Sequence, residues 1–303
     1  MENAYAAMLR TIIQGLDVVG DRWALLILRE AFYGCNRFEQ FRQNTGISRA
    51  TLTRRLNDLV DNDVLYKRPL GSSKRVEYNF TARGLGLFGA SLLAQDLENQ
   101  WREEGDPESP VTVHTVCQQP FKPKAVCRHC RMELKPEDIQ WQRIESGYSE
   151  LIELGNSGNS RRTRDSHSGK SSRVASLIGD RWTLLILIAC FLGTTRFDDF
   201  GQQLNIAPGI LTERLKSLMS AGLMTRETYS SNPPRYEYTL TPKGHASYTF
   251  VIALRQWILE GCRDELPAAN MIHGPCEQPL KQEIVCGHCE QKPWPRDVVI
   301  KNN

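Results

Sequence analysis

The feature that most constrains this chain is a ten-residue stretch that occurs twice. Residues 19–28 read VGDRWALLIL, and residues 178–187, 159 positions later, read IGDRWTLLIL. In each copy the aspartate, Asp21 or Asp180, can cap the free amides at a helix start and suits the positive end of the helix dipole. The apolar run after the tryptophan has no polar face, which predicts a helix enclosed on most sides by other elements.

The similarity between the two halves extends over nearly the whole of each. The matching segments are Arg37–Phe41 with Arg196–Phe200, Leu52–Leu56 with Leu211–Leu215, Arg75–Tyr78 with Arg235–Tyr238, and Cys127–Cys130 with Cys286–Cys289. A repeat on this scale predicts two copies of one domain. Between the copies, residues 156–173 are almost entirely Gly, Ser, Asn, Arg and other polar types, which predicts a flexible linker.

Periodicity and capping residues predict the elements of the first copy. In order, they are helices over 4–19, 21–33 (ended by Gly34) and about 37–44, a helix from the N-cap Ser48 to about 62, strands over 64–68 and 75–80, and a helix from the N-cap Thr81 to about 101. Leu52, Leu56 and Leu59 form the buried stripe of the fourth helix. Four helices, a hairpin and a last helix make a winged helix-turn-helix.

The overall composition excludes several classes of protein but does not by itself indicate nucleic-acid binding. The net charge is only +3, and 40% of the residues are hydrophobic. No apolar stretch reaches the roughly 18 residues of a membrane helix, and the N-terminus lacks a signal-peptide pattern, so we expect a cytoplasmic protein. Nine cysteines in such a protein favour metal or redox chemistry over disulfides.

Eight of the candidate ligands fall into two constellations of identical spacing. The first is His114-x2-Cys117-x9-Cys127-x2-Cys130 and the second is His273-x2-Cys276-x9-Cys286-x2-Cys289. A Cys-x2-Cys turn places two thiolates on one tetrahedral ion, and an upstream Cys/His pair completes four ligands. We therefore predict two structural zinc ions, one in each half. Free thiols and a reversible disulfide pair are the alternatives, and His129 and His288 are rival fourth ligands.

Other cysteines and the missing motifs argue against catalysis. Cys35, Cys190 and Cys262 have no counterpart in the other copy and are expected to be packing residues. A catalytic zinc needs an open coordination position, which four protein ligands do not leave. The sequence also contains no nucleophile elbow, paired-carboxylate signature or dinucleotide loop, so we predict that the chain is not an enzyme.

The predicted fourth helix carries the candidate DNA contacts, because recognition helices place their N-terminal turns against base edges in the major groove. In the first copy the candidates on this helix and the hairpin are Ser48, Arg49, Ala50, Thr51, Thr53, Arg54, Arg55, Asn57, Lys67, Arg68, Lys74 and Arg75. In the second copy they are Pro208, Gly209, Thr212, Glu213, Arg214, Lys216 and Arg235. The second surface is less basic, with Glu213 in place of Arg54, so we expect unequal recognition by the two copies.

These motifs, taken together at their spacings, resemble the HxlR-type family of bacterial transcription regulators, which are relatives of the MarR group. The resemblance covers about residues 5–101 and 173–259, and is carried by the repeated Gly-Asp-Arg-Trp stretch, the Arg37-Phe38 pair, the Leu-Thr-Arg-Arg-Leu segment, and Arg75–Tyr78 followed by Thr81 and Gly84. It implies a winged helix-turn-helix fold with duplex DNA as the partner. Members are usually single-domain homodimers on palindromic operators, so a chain with two domains departs from that pattern.

We accordingly predict an α+β, mainly α protein with two tandem winged helix-turn-helix domains, each followed by a small Cys/His zinc-binding module. The expected segments are 1–104 (first winged domain), 105–141 (first zinc module), 142–172 (linker), 173–263 (second winged domain) and 264–303 (second zinc module). The predicted function is sequence-specific DNA binding as a monomeric, intramolecular pseudo-dimer, with recognition helices about one DNA turn, roughly 34 Å, apart. The alternative is a zinc-dependent protein-interaction adaptor in which only the first repeat binds DNA. The sequence does not identify a small-molecule effector.

Overall fold

A computed structural model describes residues 4–71, 75–103, 111–141, 172–261 and 271–301. The chain divides into two compact units. The first unit comprises Leu16–Glu133, Asp165–Gly179 and Lys281–Asn303, and the second comprises Met1–Gly15, Leu134–Arg164 and Asp180–Leu280. Each unit therefore combines the central part of one repeat with the two ends of the other. The predicted linker, 142–172, lies outside the described residues except at Ser172.

Helices and hairpins follow one another as the sequence predicts, and the predicted fold class is confirmed. The helices are α1 (Ala4–Val19), α2 (Arg22–Phe32), α3 (Phe38–Thr45), α4 (Arg49–Asp61), α5 (Ala82–Leu85), α6 (Phe88–Gln100), α7 (Arg173–Ile178), α8 (Arg181–Phe191), α9 (Phe197–Leu204), α10 (Pro208–Ser220), α11 (Pro242–His245) and α12 (Tyr248–Glu260). The strands are β1 (Leu65–Pro69), β2 (Val76–Phe80), β3 (Thr112–His114), β4 (Gln119–Pro120), β5 (Pro123–Cys127), β6 (Ile139–Trp141), β7 (Met224–Ser231), β8 (Pro234–Leu240), β9 (Met271–His273), β10 (Gln278–Pro279), β11 (Gln282–Cys286) and β12 (Val298–Ile300).

The core of the first unit lies between α2, α3 and α4. Asp21 caps α2 by accepting hydrogen bonds from the amides of Trp23 (2.8 Å) and Ala24 (3.2 Å), as predicted. The buried side chains of this core include Ile27, Phe41, Leu52, Leu56 and Leu59, all without exposed surface. The antiparallel hairpin of β1 and β2 pairs Leu65 with Phe80 and forms the wing. The predicted buried stripe of α4 is therefore confirmed.

The predicted single helix from Thr81 to about residue 101 is wrong, because two helices with a tight turn replace it. Thr81 does cap α5, accepting from the Gly84 amide at 3.0 Å. The helix then closes with bonds three residues apart, from Gly86 to Arg83 and from Leu87 to Gly84, each 3.0 Å long, which end it after one turn. Gly84 lies so close to β1 that a Cβ would stand 2.0 Å from the carbonyl oxygen of Val64.

Strands from the end of the second repeat complete the sheets of the first unit. β11 pairs antiparallel with β5, and β12 pairs antiparallel with β3. Ile284 of β11 packs on α6 where Gly89 leaves room, since a Cβ on Gly89 would stand 2.9 Å from Cγ1 of Ile284. The segment 281–301, predicted to belong to a zinc module of the second repeat, thus lies against the first repeat.

The short helix α7, at the start of the second repeat, also packs within the first unit. The carboxylate of Glu98 on α6 accepts from the Ser172 hydroxyl (2.6 Å) and from the amides of Arg173 (2.6 Å) and Val174 (3.1 Å). At the other end of α7, the Gly179 carbonyl accepts from the Arg22 amide at 2.8 Å. The start of the second repeat is thereby hydrogen-bonded to two helices of the first.

The second unit has the same winged-helix core. Every residue of α8 from Arg181 to Ala189 is buried, which confirms the prediction of an enclosed helix. The ends of the first repeat complete this unit as well. β6 pairs antiparallel with β9, and a Cβ on Gly15 of α1 would stand 2.5 Å from Cγ2 of Ile258 on α12. None of the helices that the structure describes is both long and apolar enough to cross a lipid bilayer.

Candidate nucleic-acid interface and metal-binding group

Helix α4 presents the surface that the sequence predicts for DNA recognition. Its N-cap hydroxyl, from Ser48, accepts from the Thr51 amide at 3.3 Å. Because the leucine stripe faces the core, the opposite side is open to solvent. The exposed residues there are Ser48, Arg49, Ala50, Thr53 and Arg54, with Thr51 and Asn57 partly exposed beside them.

The two exposed arginines of α4 differ in their contacts. Nη2 of Arg49 donates to Oε1 of Glu39 at 2.7 Å, and its guanidinium lies over the Phe38 ring, 5.5 Å from the centroid. Arg54 is exposed and makes no hydrogen bond or ion pair with another described residue. Arg54 can therefore approach a base edge without breaking an internal contact, whereas Arg49 must first leave Glu39.

Arg55 points towards the protein interior. Its Nη2 lies 3.1 Å from Oδ2 of Asp21, and its Nη1 lies 3.2 Å from Oδ2 of Asp58. Burial raises the pKa of Asp21, and the Arg55 charge is the largest effect that opposes this rise. The structure thus corrects the predicted DNA contact of Arg55, because its charge is already paired with the aspartate that caps α2.

The first wing continues the basic surface of α4. Lys67 donates from Nζ to Oδ1 of Asn57 at 2.9 Å, which joins the hairpin to the recognition helix. Arg68 donates from Nη2 to Oε2 of Glu77 at 2.6 Å, and its side chain is still 60% exposed. Arg75, just before β2, is exposed. The predicted contact Lys74 lies outside the described residues.

In the second unit, α10 presents the corresponding but less basic surface. Pro208 occupies its first turn, as predicted, since the missing amide hydrogen has no cost there. The exposed residues of the predicted set are Pro208, Gly209, Thr212, Glu213 and Lys216. Ile210, which sequence reasoning missed, is also exposed (36%). The sequence could have identified it, because Ile210 is equivalent to Thr51 in the first repeat.

Arg214 of α10 is buried and does not lie on this surface. Its Nε donates to Oδ1 of Asp180 at 3.0 Å, and only 9% of its side chain is exposed. The predicted DNA contact is therefore corrected in the same way as for Arg55. A helical wheel places both arginines beside the exposed face but carries no information about the aspartate behind them.

The second wing is longer and carries stacked arginines that the sequence analysis did not select. β7 has eight residues, against five in β1. The Arg226 guanidinium lies 4.3 Å from the Tyr236 ring centroid, and that of Arg196 lies 4.7 Å from the ring of the exposed Tyr229. The predicted Arg235 is exposed at the start of β8. Arg196 itself lies just before α9 and pairs with Glu237 at 3.0 Å. Strands β7 and β8 carry Glu227 and Glu237 beside Arg226 and Arg235, so acidic and basic side chains balance on these two strands.

Four potential metal ligands converge in the first unit. They are His114, Cys117, Cys286 and Cys289, and their ligand atoms all lie within 4.8 Å of one another. We call them the Cys3His group. His114 ends β3 and Cys286 ends β11, while Cys117 and Cys289 lie in the turns that follow.

The separations within the Cys3His group fit a tetrahedral zinc ion. Sγ of Cys117 lies 3.9 Å from Sγ of Cys286, and Nδ1 of His114 lies 3.4 Å from Sγ of Cys117 and 3.3 Å from Sγ of Cys289. Zn–S bonds of about 2.3 Å and Zn–N bonds of about 2.0 Å require roughly 3.8 Å between sulfurs and 3.5 Å between sulfur and nitrogen. A disulfide would require about 2.05 Å between sulfurs. The donor set and its spacing therefore match a closed structural site.

Local hydrogen bonds favour the thiolate at Cys286. Burial alone would raise the pKa of this thiol, but the backbone N–H groups of Cys289 and His288 donate to its sulfur and bring the pKa below its usual value. Thiolate is the form that binds metal. The neighbouring Cys286 sulfur in turn raises the pKa of Cys289, so these contacts favour the thiolate at Cys286 and not at both cysteines of the turn.

The predicted grouping of His114 and Cys117 with Cys127 and Cys130 is wrong. The pairing of β11 with β5 brings the cysteine turn of the second repeat to His114, so ligands of the two repeats combine. Because the ligand spacing is identical in the two repeats, the sequence does not show which Cys-x2-Cys turn joins which upstream His/Cys pair. His288 is exposed and outside the group, whereas the upstream histidine His114 is one of its members.

The other four predicted ligands are divided between the two units. Cys127 and Cys130 belong to the first unit, and His273 and Cys276 belong to the second, where Nδ1 of His273 lies 3.3 Å from Sγ of Cys276. Burial raises the pKa of the Cys190 thiol to about 12, as suits a packing residue. Cys35 accepts from Nδ2 of Asn44 at 3.1 Å, and Cys262 lies outside the described residues.

Comparison with known proteins matches both repeats to one family model, described as HxlR-like helix-turn-helix, over residues 18–106 and 177–265. These two ranges together exceed half of the chain. An uncharacterized HTH-type transcriptional regulator of Mycobacterium tuberculosis is 37% identical over 127 residues, which is 42% of this chain and 80% of the relative. The regulator YtfH of Escherichia coli, also uncharacterized, is 36% identical over 89 residues, which is 29% of this chain and 71% of the relative.

Among solved structures, diamide-treated YodB from B. subtilis is 29% identical. The match covers 33% of this chain and all of that one, with a TM-score of 0.27. That score is too low to support an argument about fold.

Proposed function

This chain belongs to the HxlR-like helix-turn-helix family and is thus a transcriptional regulator, and from that premise we propose that it binds duplex DNA sequence-specifically as an intramolecular pseudo-dimer. The supporting observation is the exposed N-terminal half of α4, with Arg54 unpaired among the described residues and Lys67 hydrogen-bonded to the same helix. Arginine can bond guanine at two points in the major groove. With DNA as its partner, we also place the protein in the cytoplasm.

Each part of the proposed surface has a role of its own. Arg54, Thr53 and Ala50 face base edges from α4, while Lys67, Arg68 and Arg75 contact phosphates, which fix position but carry little sequence information. Thr212, Glu213 and Lys216 take the equivalent positions on α10. Glu213 can accept from a cytosine amino group, where Arg54 donates to guanine. The proposed operator is therefore an imperfect palindrome with unequal halves.

Selection of bound sequences from random duplex DNA, with the purified full-length chain, tests this proposal. We expect two related half-sites that differ at the position contacted by Arg54 or Glu213. Light scattering of the free protein and of the complex should give one chain, 34.5 kDa, per DNA duplex. A stable two-chain species on a perfectly symmetric site would contradict the pseudo-dimer.

A second candidate is an adaptor in which only the first repeat binds DNA. The observation in its favour is that α10 exposes Glu213, while Arg214 is buried against Asp180. Affinity should then be unaffected by Lys216→Ala but reduced by Arg54→Ala. The slope of log affinity against log salt would also be shallower than for two-repeat binding, because each phosphate contact contributes about −0.9 to the slope.

We also propose that the chain binds zinc, with one ion in the Cys3His group. Three thiolates and one imidazole are a common set for structural zinc, and such an ion stabilises a small module that has little core. The sequence prediction of two ions per chain rests on the repeat, because the remaining ligands have the same residue types. Metal analysis of protein purified without chelator should find about two ions per chain, by the four-ligand rule.

A further inference from the structure

The Cys3His group joins parts of the chain that are far apart in sequence. His114 and Cys117 belong to the first repeat, whereas Cys286 and Cys289 belong to the second. All four lie in one compact unit. An ion bound here would therefore have two ligands from each repeat.

We propose that zinc in the Cys3His group clasps the C-terminal segment of the second repeat, residues 281–301, onto the first repeat. The ion is then a link between the two halves of one chain, in addition to a stabiliser of a local module. This inference rests on the zinc binding proposed above and is independent of DNA binding.

Beyond the packing of Ile284 on α6, the contacts that otherwise hold the segment are modest. β11 pairs with β5 over five residues, and β12 pairs with β3 over three. Sheets of two or three short strands are marginal in water without further support. The ion pairs of Lys124 with Glu290 and Arg131 with Glu283 lie at the surface, where such pairs contribute little to stability.

The positions of the ligands in the chain also support a clasp. The ligands follow directly on the paired strands, since His114 ends β3 and Cys286 ends β11. Zn²⁺ therefore fixes the end of β3 and the end of β11 at one point. Because a preformed site is absent from the unfolded chain, the free energy of metal binding adds to the free energy that holds the segment in place.

Zinc content of paired cysteine variants tests the ligand grouping. Cys117→Ser and Cys286→Ser should each remove one ion, and the double variant should lose no more than either single variant. Cys127 lies outside the group, so Cys117→Ser combined with Cys127→Ser, the matched control, should lose two. Loss of two ions by the Cys117/Cys286 double variant and of only one by the Cys117/Cys127 double variant would overturn the clasp. Unchanged zinc content in every variant would overturn zinc binding itself. DNA affinity of the unsubstituted chain tests the proposed regulator function separately.

A second measurement uses the unsubstituted metal ligands and does not depend on variants that fold. A protease site is placed within residues 156–171, the chain is cleaved, and hydrogen exchange is followed with and without a zinc chelator. With zinc, the two fragments should remain one species, and the amides of β11 and β12 should be protected. The chelator should raise the hydrogen-exchange rates of the β11 and β12 amides at least tenfold while those of α2 and α4 stay protected. Added Zn²⁺ should restore the slow exchange. Zinc loss without faster exchange in residues 282–300 would refute the clasp.

Discussion

Nε of Arg214 donates a hydrogen bond to Oδ1 of Asp180 over 3.0 Å, which ties the recognition helix α10 to the first turn of α8. Arg55 and Asp21 form the equivalent ion pair in the first unit, 3.1 Å apart. The aspartate thus serves two elements, because it also caps the helix that it begins. The repeated Asp and the repeated Arg form the same ion pair in both repeats, which holds α4 at the start of α2 and α10 at the start of α8.

Substitution of Arg214 should lower the free energy of unfolding more than it lowers the free energy of DNA binding. Arg214→Ala leaves Asp180 without its cation, at a cost of about 1–3 kcal/mol; a fully buried pair would cost about 3–5 kcal/mol, but Asp180 is partly exposed. Urea denaturation measures the change. Lys216→Ala, on the exposed side of the same helix, is the control and should stay within about 0.5 kcal/mol. An unchanged midpoint for Arg214→Ala would show that the contact contributes nothing.

Arg54→Ala should weaken DNA binding without altering stability. The side chain is exposed and makes no hydrogen bond or ion pair with another described residue, and its charge acts on Asp21 less strongly than that of Arg55. We expect a cost of about 1–3 kcal/mol on the preferred site and relaxed preference at one position. Fluorescence anisotropy on the selected operator and on single-base variants measures both. Equal affinity and preference in the variant would contradict the assignment of α4 as the recognition helix.

Glu213→Arg should make the second repeat resemble the first in its base preference. The substitution replaces an acceptor by a bidentate donor at an exposed position of α10. The operator selected by this variant should gain symmetry at that base pair, with guanine favoured over cytosine. Repeating the selection from random DNA tests this. A variant with higher affinity but the same sequence preference would indicate phosphate contact at residue 213.

Gly84→Ala should destabilise the first winged domain strongly. The added Cβ would meet the Val64 carbonyl oxygen at 2.0 Å, so backbone must move, and we expect a loss of at least about 1–3 kcal/mol, as for overpacked cores. The control is Gly201→Ala in α9, where a Cβ meets nothing within 4 Å. That change should stabilise by about 0.5–1 kcal/mol. Thermal unfolding of both variants gives the comparison, and equal shifts would contradict it.

Acidification should loosen the first wing through Glu77. A hydrogen bond from Arg68, with a smaller effect of Arg37, holds the pKa of this carboxyl below its usual value. A carboxyl whose pKa is lowered by folding contributes stability above its unfolded pKa, about 4.3, and the contribution disappears as pH falls through the folded value. Hydrogen exchange in β1 and β2 should therefore rise below pH about 4. Glu77→Gln should remove this pH dependence, and a steep change persisting in it would exclude Glu77 as the cause.

Features set by a few neighbouring residues were predictable from the sequence. The cap at Asp21, the leucine stripe of α4 and the cap at Thr81 each depend on spacing within one or two helical turns. The break after Leu85 was missed because it depends on the approach of Gly84 to the carbonyl of Val64, just before β1. Arg55 and Arg214 were assigned to DNA because their acidic partners lie 34 residues earlier in sequence. The sequence could not show which Cys-x2-Cys turn joins His114 and Cys117, because the two repeats offer turns of the same residue types.

The pairing of β5 with β11 has a consequence for biosynthesis. Synthesis of Gln282 follows that of Cys127 by 155 residues (282 minus 127), although the two are directly opposite each other in the sheet. At 5–20 residues per second, the partner strand leaves the ribosome about 8–30 s after β5. During that interval β5 presents an open edge, which can pair with the same strand of another nascent chain. Polysomes translating this message are thus a setting in which copies can exchange strands between chains, and slow elongation over residues 128–281 should increase the yield of such intertwined dimers.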